Sequence, residues 1–404
     1  MLWKIAWRNI WRNKRRSLIV LTSIIVGLVA IVLYDSLSVG MIYQMLENQI
    51  GSYVAHIQIH KNGFNDNRII QNYVPSPHKV DSLLQKEKFV KAYSKRVLSF
   101  GILSSATNSS GVYLVGIRPE MESRVTKIHT YITEGTYLTG KSHEIVIGKN
   151  LADKLKVGIG DKVVAMASSL HGNIGAEVFR VVGIYQSFSS QFDKIYIYVN
   201  LHDAQNMLEL EDNISEFALL LENSELSQNV KNRLSTQLGE EYEVLTFQEL
   251  LPMLVLQIDV YKESIFIFYA IIAIAMIFGI VNTMLMSVFE RIQEFGVLMA
   301  IGMKNSRVFF MVLLEALILG TVGTIVGFIL GYLIYIPLSH TGIDFAMFSE
   351  GLKAFGVGTV IYPVLTLQSV VSALLVIPFI SVIGAIYPAI KAIRLEPINA
   401  IRYV

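Results

Sequence analysis

Four long stretches of the sequence contain no Asp, Glu, Lys or Arg, and their placement limits the fold more than any motif does. They cover residues 17–34, 264–289, 316–343 and 354–390. Each reaches or exceeds the roughly 18 apolar residues that a helix needs to cross about 30 Å of hydrocarbon. The first stretch stands alone, a long polar segment follows it, and the other three come after that segment. We therefore expect a membrane protein with four transmembrane α-helices in a 1+3 arrangement and one large domain between the first helix and the second.

The charge pattern also sets approximate boundaries. We expect an amphipathic interfacial helix at 1–16, spans at 17–40, 259–289, 308–337 and 366–390, an extracytoplasmic domain at 41–258, a cytoplasmic segment at 290–307, an extracytoplasmic loop at 338–365 and a cytoplasmic tail at 391–404. A composition of 53% hydrophobic and 16% charged residues fits a chain that lies partly in lipid and partly in water.

Positive charge before the first span predicts the orientation. Six cations and no acid precede residue 17: Lys4, Arg8, Arg12, Lys14, Arg15 and Arg16. Segments rich in Lys and Arg stay in the cytoplasm, so we expect a multi-pass membrane protein with both termini in the cytoplasm. A cleaved signal peptide is the alternative for the first stretch, but residues 34–40 make a poor cleavage site.

The first eleven residues contain all three tryptophans of the chain. Trp3, Trp7 and Trp11 form one helical stripe with Ile10, and we expect the cations on the opposite side. Indole rings favour the depth of the lipid headgroups, and cations favour anionic lipid. The segment therefore predicts an interfacial helix that contacts membrane lipids, and a simple topology signal is the alternative.

The polar segment 41–258 is typical of an α+β domain. Alternation of apolar and polar residues over 53–60 predicts a strand. Further strands are expected at 112–117, 144–147, 162–167, 177–185 and 194–199, and helices at 79–87, 201–208 and 226–238. The chain has no cysteine, so the domain must be stabilised by its own core rather than by disulfides.

Two local patterns suggest ligand sites but lack the context that such sites need. Residues 135–142 match the Walker A pattern letter for letter, yet residues 144–147 read as a strand, whereas a P-loop opens a helix. His56 and His60 share a strand face about 13 Å apart, too far for one metal ion. We expect no catalytic residue, no cofactor or metal site and no nucleic-acid partner for this chain.

The cytoplasmic segment between the second and third spans has helical periodicity. Within 290–307 the apolar positions are Ile292, Phe295, Met299 and Met303, and the polar face is expected from Arg291, Glu294, Lys304 and Arg307. An amphipathic helix lying on the membrane and a helix that docks into a groove of a cytoplasmic partner both fit this pattern.

This segment resembles the coupling-helix motif of the FtsX-like permeases, the type VII ABC transporter family that includes lipoprotein-releasing permeases and MacB-type macrolide exporters. The likeness rests on Arg291, Glu294, Phe295, Gly296, Ala300 and Gly302, with further matching segments at 6–16, 315–317, 387–389 and 397–402. Residues 144–148 and 157–163 are similar to the periplasmic core domain of that family. The layout is most similar to that of the lipoprotein-releasing permeases, and the permease domain would span about 265–400.

The resemblance implies a non-catalytic subunit whose partner, a separate ABC ATP-binding subunit, binds and hydrolyses ATP. A second copy of the permease or a paralogue would complete a homodimer or a heterodimer. Coupling to the ATPase is assigned to the residues of the motif and to Met299, where family members commonly carry Arg. The hairpin with which some lipoprotein-releasing permeases engage a periplasmic chaperone is short here, at 168–176. A lipoprotein, a periplasmic chaperone and an adaptor are the further partners that the family suggests.

The family also suggests a function, namely transmission of ATPase-driven movement to the periplasmic domain. Lipoprotein release from the membrane is the leading expectation. Export of a hydrophobic or peptide substrate, as in MacB, and regulation of a cell-envelope enzyme without transport are the alternatives. Substrate-path candidates share one helical face where the chain leaves the lipid, namely Tyr34, Leu37, Met41 and Met45.

Small residues within the spans predict a packed bundle. Gly323, Gly327 and Gly331 recur at intervals of four, a spacing that lets helices approach closely. Glu315 lies roughly 12 Å into the third helix, where a carboxylate must find a hydrogen bond or face a cavity. A structural bond near the segment 290–307 and a part in transmission both remain open for Glu315.

Overall fold

The structure, a computed structural model, describes residues 2–12, 14–354 and 356–394. The chain forms two compact units, which we describe separately. The helical unit comprises Met1–Ile42, Gln257–Asp344 and Val360–Val404, and the sheet unit comprises Tyr43–Leu256 and Phe345–Thr359. The tail segment that carries part of the family resemblance, 397–402, lies outside the described residues.

The helices follow one another as α1 Leu2–Arg12, α2 Lys14–Gln49, α3 Pro77–Leu84, α4 Pro119–Glu122, α5 Lys149–Leu155, α6 Phe192–Ile195, α7 Leu201–Met207, α8 Ser227–Leu238, α9 Phe247–Leu250, α10 Pro252–Glu290, α11 Ile292–Ala300, α12 Asn305–Thr341, α13 Ser349–Ala354 and α14 Leu367–Ile393. The strands are β1 Ile57–Lys61, β2 Val90–Ser104, β3 Ser109–Ile117, β4 Ile132–Gly135, β5 Glu144–Gly148, β6 Lys162–Ser168, β7 Ile174–Tyr185, β8 Tyr196–Asn200, β9 Glu216–Leu221, β10 Tyr242–Thr246, β11 Ile343–Asp344 and β12 Val360–Ile361.

Four helical segments are long and apolar enough to cross a membrane, and they confirm the prediction of four spans. They are Ser17–Val54, Pro252–Glu290, Asn305–Thr341 and Leu367–Ile393. One of them precedes the sheet-rich part of the chain and three follow it, which is the expected 1+3 arrangement. The charge-free run 354–390 is longer than its helix because its first residues include the short strand β12.

Small residues bring the four long helices together in the helical unit. A Cβ at Gly323 would lie 2.7 Å from Ile24 Cγ2, and a Cβ at Gly327 would lie 3.1 Å from Ile25 Cα, so α12 packs directly against α2. Gly331 continues this contact one turn further along α12. On other faces, Gly320 of α12 meets α14, Gly384 of α14 meets α10, and Gly27 of α2 meets α10. The absent side chains allow the close helix approach that stabilises packing in lipid.

The sheet unit is built on a ten-stranded mixed sheet with the order β10-β1-β9-β2-β3-β8-β5-β7-β4, and β6 pairs with both β2 and β7. β3 is parallel to β8 and β5 is parallel to β7, whereas the other pairs are antiparallel. Successive residues such as Leu114 and Val115, or Ile145 and Val146, belong to different apolar clusters. Both faces of the central strands are therefore buried. The predicted α+β class is confirmed.

The strand predicted at 53–60 is wrong in its first half. Residues Ile50–Val54 form a π-helix that ends at Ala55, whose N–H donates to Ile50 O at 3.0 Å. The strand β1 begins only at Ile57. The π-helix directly follows α2, and all of its residues are buried. The alternation of apolar and polar residues before Ile57 therefore does not come from a strand with one exposed face.

The longest strand, β2, was not predicted from the sequence, and neither were β4, β9 and β10. The buried positions of β2 include Ser94, Arg96 and Ser99, which read as surface residues. A register shift between Val90 and Ala92 also interrupts its alternation. Polar residues at core positions therefore concealed this strand, because the period-2 signal depends on apolar residues there.

Candidate functional site

The segment 290–307 folds as a short helix and a turn that leads into α12. Ile292 and Phe295 of α11 are buried, in agreement with the predicted helical spacing. The helix ends after Ala300, where the N–H of Gly302 donates to Met299 O at 3.0 Å. Gly302 has φ +99°, a conformation that L side chains rarely adopt. The sequence needs glycine here because the chain reverses before α12 begins.

Arg291 is the buried centre of this segment, which corrects its expected place on the polar face. Its Nη1 donates to both carboxylate oxygens of Glu315 in α12, at 2.9 and 3.1 Å. Its Nε donates to Glu294 Oε2 at 3.0 Å, and the guanidinium lies over the Phe295 ring, 5.1 Å from its centroid. A buried cation with these partners is satisfied, whereas a lone one would be costly.

Two residues of α1 complete the cluster. Asn9 Nδ2 donates to Glu315 Oε1 at 2.8 Å, and Arg12 Nη2 donates to Glu294 Oε1 at 2.5 Å. Burial alone would raise the pKa of the Glu294 carboxyl, but hydrogen bonds from Arg12 and Arg291 hold it below its usual value. We call these five side chains, Asn9, Arg12, Arg291, Glu294 and Glu315, the coupling network. The Glu315 carboxylate thus finds its hydrogen bonds in the segment 290–307 and in α1.

The solvent-facing side of α11 is partly apolar. Val297 is exposed, and Ile301, just beyond the helix, is 80% exposed. Glu294, Ala300 and Gly302 of the predicted set share this exposed side, and Met299 is half-buried. The remaining members Arg291, Phe295 and Gly296 are buried. Val297 and Ile301 belong to the matching motif but were not predicted as coupling residues, because the motif does not show which apolar side chains are exposed.

The tryptophans, Ile10 and the cations of α1 are arranged differently from the prediction. Trp3, Trp7 and Trp11 are exposed and the rings of Trp7 and Trp11 meet edge to face at 5.9 Å. Ile10 is not part of this stripe, because it packs with Ala6 in the buried core of the helical unit. At 100° per residue the cations lie beside the tryptophan stripe rather than opposite it.

An unpredicted polar contact joins α2 to α10. Tyr269 Oη donates to Asp35 Oδ1 at 2.6 Å, and the neighbouring rings of Tyr34 and Phe268 stack with centroids 3.7 Å apart. Asp35 is buried, and its Oδ2 has no hydrogen-bond partner among the described residues. Asp35 directly follows the first charge-free run and lies within the predicted span 17–40, but its pairing with Tyr269 was not predicted.

The substrate-path candidates differ in accessibility. Tyr34, Leu37 and Met41 are half-buried in the helical unit. Met45, on the same helix, is fully buried and belongs to the sheet unit. Only the first three therefore present side-chain surface to a ligand in this conformation.

A second buried charge cluster lies within the sheet unit. Arg96 of β2 donates to Glu122 Oε2 and Oε1 at 2.9 and 2.7 Å, to Glu216 Oε1 at 2.9 Å and to the carbonyl of Tyr53 at 2.6 Å. Tyr53 Oη in turn donates to Glu216 at 2.9 Å. Burial alone would lower the pKa of Arg96, but the two carboxylates raise it well above its usual value. The cluster ties the π-helix to the sheet.

The Walker-like segment lies between two strands. Gly135 ends β4 and the strand β5 begins at Glu144, as predicted for the residues after the motif. Glu144 accepts hydrogen bonds from the backbone and hydroxyl of Thr139. His60 is buried against Gln58 and Phe64, and His56 accepts the N–H of Leu221. In the part of the chain that the structure describes, no three His, Asp or Glu side chains are grouped for a metal ion.

Comparison with known proteins identifies two family domains in the chain. Residues 17–237 match the MacB-like periplasmic core domain, and residues 266–397 match the C-terminal domain of FtsX-like permeases. The ABC transporter permease YvrN of Bacillus subtilis is 25% identical over 437 residues, which cover 99% of this chain and 98% of that protein.

Two further relatives have names that specify a substrate. The macrolide export ATP-binding/permease protein MacB of Campylobacter jejuni is 23% identical, and the match covers 98% of this chain but 60% of that protein. The lipoprotein-releasing system protein LolC of Xylella fastidiosa is 23% identical over 71% of this chain and 72% of its own length. Among solved structures, the periplasmic region of MacB from Actinobacillus actinomycetemcomitans aligns with 55% of this chain and 97% of that one, at 16% identity and a TM-score of 0.36.

Proposed function

This chain belongs to the FtsX-like permeases with a MacB-like periplasmic core domain, and because it is an ABC transporter permease we propose that it transmits movement from a partner ATPase to the sheet unit. The ATPase would be a separate ABC ATP-binding subunit. It would press on the exposed side of α11 in the segment 290–307. A second copy of this chain or a paralogue would face the second ATPase subunit.

The coupling network is the observation that carries this proposal. A helix that merely lies on the membrane has no need of a buried arginine that binds a carboxylate of another helix. Arg291 and Glu294 instead join α11 to Glu315 of α12 and to Arg12 of α1. A push on α11 would therefore move α1 and α12 with it, and α12 packs directly on α2 through its glycines. The helix α2 would carry the movement onward, since the same helix continues into the sheet unit.

The proposed setting is the inner membrane of a bacterium, with both termini and α11 in the cytoplasm and the sheet unit in the periplasm. The charge asymmetry of the sequence supports this orientation. An ATPase in the cytoplasm could then reach α11, whose exposed Val297 and Ile301 would fit an apolar groove and whose Glu294 would fit a cation at its rim.

Substitutions on the exposed side of α11 test the coupling. Glu294→Lys reverses a charge at the surface and removes a partner of Arg12, and Ile301→Asp introduces a charge on the apolar contact. We expect either change to reduce co-purification of the ATPase or to separate ATP hydrolysis from transport. Glu222→Lys, an exposed charge reversal in the sheet unit, serves as the control. Normal assembly and transport by both α11 variants would contradict the proposed docking site.

We propose lipoprotein release as the transport function, on the likeness to LolC in sequence and layout. The likeness to MacB favours export of a hydrophobic or peptide substrate as the second candidate. Regulation of a cell-envelope enzyme without transport is a third candidate function. The large sheet unit makes it less favoured, because the cell-division members of the family have much smaller outer domains. A periplasmic chaperone or adaptor is a partner in the first two cases only.

A photo-crosslinker on α2 distinguishes these candidates. Placed at Met41, which is half-buried, it should capture an acylated lipoprotein in the nucleotide-free complex and release it when ATP is added. The same crosslinker at Met45, which is fully buried, is the matched control and should capture none. If position 41 captures no lipoprotein and depletion of the permease leaves lipoprotein sorting intact, the assignment moves to the export candidate.

A further inference from the structure

The helix α1 presents three distinct surfaces along its length. Its buried surface contains Ala6 and Ile10, which pack into the core of the helical unit. Its second surface is the stripe of exposed tryptophans, Trp3, Trp7 and Trp11. Its third surface carries the exposed cations Lys4, Arg8 and Arg12. In a helix of 3.6 residues per turn the tryptophan stripe lies between the other two surfaces.

The two exposed surfaces match an anionic phospholipid layer. Indole rings sit at the depth of the headgroups, and cations beside them reach the phosphates. No acid occurs among residues 1–34, and the counter-charge that the chain brings to this surface is Glu294 of α11, which pairs with Arg12. The tryptophan and cation stripes together form the proposed contact, which we call the lipid-facing surface of α1.

The same helix also holds the coupling network. Asn9 donates to Glu315, and Arg12, the last cation of the stripe, donates to Glu294 of α11. One direct hydrogen bond, from Arg12 to Glu294, therefore joins the lipid-facing surface to α11, and a second, from Asn9 to Glu315, joins α1 to α12. A shift of α1 toward or away from the headgroups would change the position of α11.

We propose that anionic phospholipid is a regulatory ligand of this permease, bound by the lipid-facing surface of α1 and acting on ATPase coupling through Arg12. The regulatory half of this inference rests on the proposed function, whereas the binding half does not. Bound headgroups would hold α1 at the membrane surface and keep Glu294 in the position that the ATPase meets. Zwitterionic lipid would hold α1 less firmly, because it offers no net charge to the cations.

Tryptophan fluorescence tests the binding half on the full chain. All three tryptophans lie in α1, so the tryptophan emission of the purified permease, excited selectively over its tyrosines, reports this helix alone. In mixed nanodiscs we expect brominated phosphatidylglycerol to quench the fluorescence more than brominated phosphatidylcholine at the same mole fraction. Lys4→Gln with Arg8→Gln should abolish the preference. Equal quenching of the wild type by the two lipids would overturn the proposal.

ATPase measurements on the assembled complex test the regulatory half. We expect ATP hydrolysis coupled to transport to rise about fivefold, within the usual range of allosteric coupling, when phosphatidylglycerol replaces phosphatidylcholine. Arg12→Gln should keep the quenching preference but lose the rise, whereas Lys14→Gln, which removes an equal charge elsewhere, should keep both. The same rise in Arg12→Gln as in the wild type, or no rise in the wild type, would overturn the regulatory role. A failure of the proposed function would differ, because Glu294→Lys would then leave coupling intact.

Discussion

Arg96 illustrates at the residue scale how this chain buries charge. Its guanidinium meets the carboxylates of Glu122 and Glu216, and all three side chains are almost completely buried. The attraction offsets the cost of removing these charges from water only while every partner is present. The cluster depends on Arg96 because its guanidinium is the cation that faces both acids. Arg96 also donates a hydrogen bond to the carbonyl of Tyr53 in the π-helix.

Removal of the guanidinium should strongly destabilise the sheet unit. Arg96→Met leaves two buried carboxylates without their cation, a defect that typically costs about 3–5 kcal/mol. Lys127→Met, which breaks an exposed pair with Glu47, should change stability by no more than about 1 kcal/mol. Hydrogen exchange of peptides from β2 in the purified chain measures the difference. Equal protection of β2 in the two variants would contradict this account of the cluster.

The sheet unit should also lose stability in acid in two steps. Burial lowers the pKa of His60 from 6.5 to about 4, so the unfolded chain binds a proton there first and stability falls as the pH drops from 6.5 towards 4. Burial alone would raise the pKa of Glu122, but Arg96 holds it below its usual 4.5, so its contribution is present above pH 4.5 and is lost below its folded pKa.

Thermal unfolding between pH 8 and pH 4, followed by circular dichroism, measures the first of these steps. His60→Gln should remove the loss of stability between pH 6.5 and about 4, which amounts to about 3 kcal/mol for the full shift. His202→Gln, at an exposed position, is the control and should leave the profile unchanged. A wild-type profile that is flat down to pH 5 would show that His60 does not contribute as described.

The contact between Asp35 and Tyr269 should couple α2 to α10 energetically. Tyr269→Phe removes the donor to a carboxylate whose other oxygen has no partner among the described residues. Within membranes such pairs contribute about 0.6 kcal/mol on average and up to about 1.7. We expect a double-mutant cycle of Tyr269→Phe and Asp35→Asn, measured by SDS-induced unfolding, to give coupling in this range. Strictly additive effects would mean that the two side chains act independently.

At the scale of elements, the sequence predicted well what depends on local pattern. The spans follow from charge-free length, and α11 follows from the spacing of Ile292 and Phe295. The strand β2 and the end of α2 could not be predicted, because their conformation depends on distant partners. Arg96 can occupy a core position because its guanidinium binds the carboxylate of Glu216, which lies 120 residues away in the sequence.

Close packing of α12 on α2 is the element-level feature most open to test. Gly327→Leu would place a side chain where the Cβ already approaches Ile25 Cα at 3.1 Å. Overpacking of this kind costs about 1–3 kcal/mol or more. Val326→Leu, one residue away on an exposed side of α12, should be tolerated. Resistance to SDS of the purified variants gives the comparison, and equal resistance would argue against the contact.

At the scale of the whole molecule, function depends on residues that the sequence separates widely. Asn9 and Glu315 are 306 residues apart in the sequence, yet Asn9 donates a hydrogen bond to the Glu315 carboxylate. The sequence could identify Glu315 as an intramembrane carboxylate and Arg291 as part of a motif. It could not pair them, because helix spacing relates residues three or four positions apart and not residues on separate helices.

The orientation of the chain is the prediction on which the proposed function rests as a whole. The natural chain has no cysteine, so single cysteines report one position each. Asn223 is exposed in the sheet unit and Asn305 is exposed at the start of α12. If the cations before the first span stay in the cytoplasm, a cysteine at 223 should react with a membrane-impermeant thiol reagent in spheroplasts, and one at 305 should react only after lysis. Labelling of position 305 from outside would place α11 beyond the reach of a cytoplasmic ATPase and would refute transmission through the coupling network.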